Sequence, residues 1–234
     1  MRIFEACLSS ETLHTNKKIF FEQIDKWVSE AQPELASDIE YREVAAERMK
    51  KAYLSQSESL DLSNLNLRTL PDAIGNLGNL KKLILNGNRL STLPETMWDL
   101  DDLQKLSLEN NELRAVPDVV CSLINLQELN LSDNALTVLP HTVGQLNYLQ
   151  KLVVSNNQLS ALPEMMDSLI NLRILAIDGN PLSTCFKRSD IGLPHLQSLI
   201  FTKEQAAAAL KDHSHFLGEV GKLAAHVRHR LLFV

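Results

Sequence analysis

The stretch LKKLILNGNRLSTLP, residues 80–94, decides the fold, because its pattern returns down the chain at a fixed interval. Asn88, Asn111, Asn134, Asn157 and Asn180 fall 23 residues apart, and so do Pro71, Pro94, Pro117, Pro140 and Pro163. Aligned on these positions, the unit reads L-x-x-L-x-L-x-x-N-x-L-x-x-L-P. Its copies run Leu80-Leu83-Leu85-Asn88, Leu103-Leu106-Leu108-Asn111, Leu126-Leu129-Leu131-Asn134, Leu149-Leu152-Val154-Asn157 and Leu172-Leu175-Ile177-Asn180. A short unit repeated in register predicts a solenoid in which each copy buries one thin layer against its neighbours.

Each position of the unit has a physical reason. Alternating leucines such as Leu83 and Leu85 predict a short strand with every second side chain inward. Strands of successive copies then pair in parallel along the inner face of an arc. The chain must turn sharply after each strand, inside the stack, where backbone groups lose water. An inward Asn donates and accepts at once, so stacked copies form a ladder that satisfies neighbouring turns. Pro lacks an N–H and has a fixed φ, which favours an extended or single-turn segment on the outer side.

The ends depart from the unit. The first copy has Leu60, Leu62, Leu67, Leu70 and Pro71 but Leu65 in place of the ladder Asn, since no preceding turn is there to be bonded. Leu193, Leu196, Leu199 and Phe201 reproduce the strand part of a seventh copy, with a strand expected over 198–202 after an irregular stretch at 183–192. An open solenoid exposes its apolar cross-section at both ends, so caps are expected. Phe20, Ile24, Trp27 and Val28 share a helical face over about 16–31. Ser37 and Glu40 have capping-box spacing ahead of Ile39, Tyr41, Val44, Ala45, Met49, Ala52 and Tyr53. At the other end, Thr202 with Gln205 opens a helix through 206–210, and Val220, Leu223, Val227 and Leu231 fall on one face of a final helix. The expected division is a helical N-terminal cap over 1–56, the solenoid over 57–202 and a helical C-terminal cap over 203–234.

Composition agrees with thin aliphatic layers: 44% of the chain is apolar, yet only 5% is aromatic. The net charge of −6 argues against nucleic acid or an anionic membrane as the main partner. Three cysteines, Cys7, Cys121 and Cys185, are too few and too scattered for a disulfide framework, which predicts a reducing, cytoplasmic setting. The opening residues carry no secretory signal pattern, and no apolar run is long enough to span a bilayer.

The unit over 59–180 resembles the Ras-suppressor and scribble-type class of leucine-rich repeats, and it is similar to plant and bacterial 23-residue repeat proteins. That resemblance implies an α/β fold: a right-handed horseshoe of about seven parallel strands with helical caps. A helical segment running directly into a first repeat, as over 41–70, is also similar to bacterial effectors delivered into host cells. Effectors with ubiquitin-ligase activity carry a large further domain, and with roughly 30 residues after Thr202 no such catalytic unit is expected. The apolar ending, Leu231 to Val234, resembles a translocation signal.

Residues between the strand leucines form three columns across the inner face. The first is Ser59, Lys82, Lys105, Glu128, Lys151, Ile174 and Ser198; the second is Asp61, Ile84, Ser107, Asn130, Val153, Ala176 and Ile200. The third is Ser63, Asn86, Glu109, Ser132, Ser155, Asp178 and Thr202. Mixed polar, charged and aliphatic groups suit a protein contact with several polar bonds and a small apolar centre. Other candidates read as structural. Cys185 with His195 is a poor nucleophile and base, since a free Cys is usually packing. His213 with His215, and His226 with His229, lack the further ligands a metal needs. Arg228 and Arg230 suit a helix C-terminus, and no phosphate-binding loop occurs. The expectation is a monomeric, non-enzymatic module binding a protein partner on the concave strand face, with no cofactor, metal, nucleic acid or membrane. With the resemblance, that becomes a bacterial effector acting on a host-cell protein; the alternative is a cytoplasmic signalling scaffold or a substrate adaptor of a ubiquitin ligase.

Overall fold

A computed structural model describes residues 10–30, 41–182, 195–201 and 231–233. Helix α1 (Ser10–Ser29) and helix α2 (Arg42–Ser55) precede strands β1 (Ser59–Asp61), β2 (Lys82–Ile84), β3 (Lys105–Ser107), β4 (Glu128–Asn130), β5 (Lys151–Val153), β6 (Ile174–Ala176) and β7 (Ser198–Phe201). An eighth, β8 (Leu231–Phe233), follows. All lie side by side in sequence order in one open parallel sheet. Lys82 stands beside Lys105, Lys105 beside Glu128 and Glu128 beside Lys151, so the 23-residue period becomes the strand register. Between β6 and β7 the offset is 24, Ile174 opposite Ser198, because the copy between them is irregular.

On the outer side, each Leu-Pro step, Val116-Pro117 in the third copy, opens one short turn of helix. Pro71, Pro94, Pro117, Pro140 and Pro163 are extended and cap Asp72–Asn76, Glu95–Asp99, Asp118–Ser122, His141–Gln145 and Glu164–Ser168. Four of these are 3₁₀ turns and Asp118–Ser122 is α-helical. The core is one continuous strip, with Leu80, Leu83, Leu85, Leu103, Leu126, Leu149 and Leu172 fully buried.

The N-terminal helices close the first repeat. Phe20, Ile24 and Trp27 of α1 and Ala45, Met49 and Ala52 of α2 are buried in the same core as Leu60, Leu62 and Leu65. Phe20 stacks on Tyr53 at 4.2 Å between ring centres. Polar contacts fix the orientation: the Trp27 indole N–H donates to Thr69 Oγ1 at 3.2 Å, Arg42 donates to the Trp27 carbonyl at 2.6 Å, and the Tyr41 N–H donates to the Leu65 carbonyl at 3.0 Å. Arg48 donates to the Asp61 carbonyl at 3.0 Å, tying α2 to β1.

Several expectations need correction. Helix α1 begins at Ser10, six residues before the apolar pattern sets in, because a helix extends beyond the stripe it buries. Helix α2 begins at Arg42 with Tyr41 at its N-cap and no side-chain cap bond; Ser37, Ile39 and Glu40 lie outside the described residues. Leu231, expected on a helix, lies in β8, where it pairs with Leu199. A free sheet edge offers backbone partners to a following Leu-Leu-Phe, and helical spacing of apolar residues does not exclude them. The rest of the C-terminal cap (202–230), the irregular stretch with Cys185, and His213, His215, His226 and His229 lie outside the described residues.

Candidate functional site

The inner face is rigid because its turns are bonded between repeats. Asn88 Nδ2 donates to the carbonyls of Leu62 (2.9 Å) and Leu85 (2.8 Å), while its Oδ1 accepts from the N–H groups of Leu65 (3.1 Å) and Leu67 (3.0 Å). Asn111, Asn134, Asn157 and Asn180 repeat the scheme, each accepting at 3.0 Å from the N–H 21 residues earlier, on Leu90, Leu113, Leu136 and Leu159. Every ladder Asn therefore reaches into the preceding repeat, and that is why the first copy has no use for one. Leu65 is buried instead, and its carbonyl serves the cap.

A second set of positions escaped the sequence reading. The residue before each ladder Asn has a positive φ, and so does Asn64 before Leu65: Asn64 (57°), Gly87 (66°), Asn110 (54°), Asp133 (56°), Asn156 (53°) and Gly179 (68°). Asn, Asp and Gly tolerate this left-handed conformation best. Their restriction to those three types at a 23-residue spacing was the available signal. The turn places these residues at the C-terminal rim of the strands, where Asn156 Nδ2 donates to Asp133 Oδ1 at 3.0 Å.

The strands bring the first two columns together as an accessible strip. Lys82 and Lys105 are exposed, and Glu128, Lys151, Ile84, Ser107, Asn130, Val153 and Ile174 are partly so. Lys82, Ile84, Asn86, Lys105, Ser107, Glu128, Asn130 and Lys151 line a depression of about 280 Å³ whose floor is the strand backbone at Leu83, Leu106 and Leu129, whose side chains are buried in the core. Lys105 Nζ pairs with Glu128 Oε1 at 2.6 Å across β3 and β4. Glu109 Oε2 accepts from Asn130 Nδ2 at 3.0 Å and from Asn86 Nδ2 at 3.4 Å.

The third column faces solvent less than expected. Ser132 and Ser155 are only 6% and 8% exposed. Their hydroxyls donate to Asn130 Oδ1 and Asp178 Oδ1, so these serines buttress their neighbours. Ala176, in the second column, is buried at 4% exposure. At the N-terminal end, hydrogen bonds from the Ser63 hydroxyl (2.6 Å) and N–H (2.9 Å) hold the Asp61 carboxyl below its ordinary value, with Arg48 and Lys82 adding to the effect.

Among the described residues, no three His, Cys, Asp or Glu side chains gather as a metal set. No described helix is long and apolar enough to cross a membrane. Cys121 lies in the outer turn Asp118–Ser122, away from the strand face, and burial pushes its thiol up.

A family profile described as Leucine rich repeat matches residues 55–113, 102–159 and 124–182, more than half of the chain. The chain is a leucine-rich-repeat protein. No curated protein matches this leucine-rich-repeat chain by sequence. Among solved structures it is similar to a leucine-rich-repeat protein of Leptospira interrogans, with 36% identity over 64% of this chain and 44% of the other, and a TM-score of 0.56. YopM, a leucine-rich effector protein from Yersinia pestis, is 25% identical over 80% of this chain and 53% of its own, with a TM-score of 0.61. The plant peptide hormone receptor RGFR1, solved in complex with RGF2, is 33% identical over 62% of this chain and 24% of its own, with a TM-score of 0.55. The chain spans about half, or less, of the length of each.

Proposed function

We propose that this leucine-rich-repeat protein binds a protein partner on the concave face of β2–β6, and that it does so as a bacterial effector inside a host cell. Leucine-rich repeats are in general non-enzymatic interaction modules, which supports binding as the activity. The carrying observation is the strip from Lys82 to Ile174: aliphatic Ile84, Val153 and Ile174 flank polar Ser107 and Asn130 on a backbone already fixed by the Asn ladder. A preorganised face loses little conformational freedom on binding, so the contact energy it forms is retained. The effector half of the reading is supported by the likeness to the Yersinia effector. The Leptospira protein adds a second bacterial relative.

Affinity capture from a eukaryotic lysate tests the binding half, with Ser107→Trp blocking the middle of the strip and Ile124→Glu altering an exposed outer residue. Partners lost with Ser107→Trp and retained with Ile124→Glu are the expected result. Capture that survives Ser107→Trp but disappears with substitutions on α1 moves the site to the N-terminal helices, and with it the function toward the adaptor reading. A translocation reporter fused to the chain in a secretion-competent bacterium tests the effector half; a reporter that never reaches the host cytoplasm counts against it.

A further inference from the structure

The charges of the concave face divide into groups that are already partnered and groups that are free. Each of its carboxylates on β1–β6 and the turns that carry the ladder has a partner: Asp61 has Ser63, Glu109 has Asn86 and Asn130, Glu128 has Lys105, Asp133 has Asn156, and Asp178 has Ser155. The ammonium groups of Lys82 and Lys151, by contrast, make no ion pair or hydrogen bond among the described residues. Lys82 senses Asp61 only through space, and Ser63 already occupies that carboxylate.

The geometry relates the two cations. They stand in the same column on β2 and β5, three strand spacings apart, which is about 14 Å at the backbone. Between them lies the Lys105–Glu128 pair, neutral as a unit, over the strand backbone that floors the depression. Two residues along the strand from each free cation stands a partly exposed aliphatic side chain, Ile84 beside Lys82 and Val153 beside Lys151. The face thus offers the same cation-and-aliphatic pair twice, at a fixed separation.

We propose that the partner presents an extended acidic segment across β2–β5, with two carboxylates about four residues apart, each beside an apolar side chain. Four extended residues span about 13 Å, which matches the separation of the two cations. The proposal rests on the concave-face reading and names the chemistry that face selects. A polyanion such as nucleic acid fits less well, because Glu109, Glu128 and Asp178 would repel a continuous line of phosphates, while two discrete carboxylates meet only the free cations.

The test is selection of a displayed random 12-residue peptide library on the full chain at low ionic strength, followed by fluorescence anisotropy on synthetic copies of the enriched peptides. The expected peptides carry Asp or Glu at positions four apart with apolar neighbours. Lys82→Glu with Lys151→Glu should weaken them at least tenfold, and peptides with Lys in place of the two acids should regain binding to that double variant. Lys17→Glu with Lys18→Glu, on α1, should leave affinity unchanged, and circular dichroism melts should show every variant folded. Peptides blocked by Ser107→Trp yet indifferent to the lysine reversals overturn the acidic-segment proposal and leave the concave-face reading standing. Peptides indifferent to both overturn both. A library that yields no binder overturns the proposal of a linear segment.

Discussion

Replacing the first and fourth ladder asparagines by alanine should have unequal effects, and the structure sets the difference. In Asn88→Ala three backbone groups lose their hydrogen-bond partner: the N–H groups of Leu65 and Leu67 and the carbonyl of Leu62. The Leu85 carbonyl keeps Asn111 as a donor. In Asn157→Ala only the Leu136 N–H is orphaned. The Leu131 and Val154 carbonyls keep donors from Asn134 and Asn180, and the Ser155 carbonyl keeps the Asp133 N–H. An orphaned buried group costs ~1–3 kcal/mol, so Asn157→Ala, with one such group, should lose about 1–3 kcal/mol, and Asn88→Ala, with three, up to about three times as much. Urea titration followed by far-ultraviolet circular dichroism gives the loss for each. In a Trp98→Phe background, buried Trp27 reports separately on the cap beside the first repeat. The Trp27 signal should unfold earliest in Asn88→Ala, because repeat stability is a sum of local and nearest-neighbour contributions. Equal losses for the two variants, or a larger one for Asn157→Ala, would refute the reasoning that the ladder acts through the number of groups it satisfies.

Gly75→Ala would place a Cβ 2.2 Å from the Thr96 carbonyl oxygen and should destabilise by ~1–3 kcal/mol through overpacking. Gly78→Ala meets nothing within 4 Å and serves as the matched control, so equal melting temperatures for the two would count against this packing of adjacent outer turns. The Cys121 thiol, raised by burial, favours its neutral form when folded. Stability should therefore fall as pH rises above the ordinary thiol pKa, where the unfolded chain ionises first and binds fewer protons. With Cys7 and Cys185 changed to Ser, native Cys121 should resist iodoacetamide at neutral pH and react once urea unfolds the chain. Fast alkylation of the native protein would contradict its burial. Deleting residues 1–55 removes the helices over Leu60, Leu62 and Leu65, and the remaining chain should associate with rising concentration in sedimentation velocity. A truncated chain that stays monomeric with unchanged melting would show that the helices are an independent module.

Much of this was legible in the linear pattern because a repeat writes the same local problem many times. The spacing of Asn88 to Asn180 and of the Leu-Pro steps determined the parallel stack, its register and the inward side of every strand, since a period held without slippage leaves one stacking in which like positions meet. Leu65 in place of Asn marked the first layer for the same reason. Where the pattern stops repeating, sequence reasoning weakened. The spacing of Leu231 suited a helix, but its strand conformation depends on the edge of β7, a partner 32 residues earlier that no local pattern announces. The candidate face divides along the same line. Alternation named its columns, and it could not tell that Ser132 and Ser155 lie buried beneath hydrogen bonds to Asn130 and Asp178. Nor could it tell that Glu128 neutralises Lys105 while Lys82 and Lys151 stay free, because which charges pair depends on side-chain placement across strands. Periodicity fixes which positions become neighbours; only packing in three dimensions decides which of those neighbours touch, and so which groups remain for a partner.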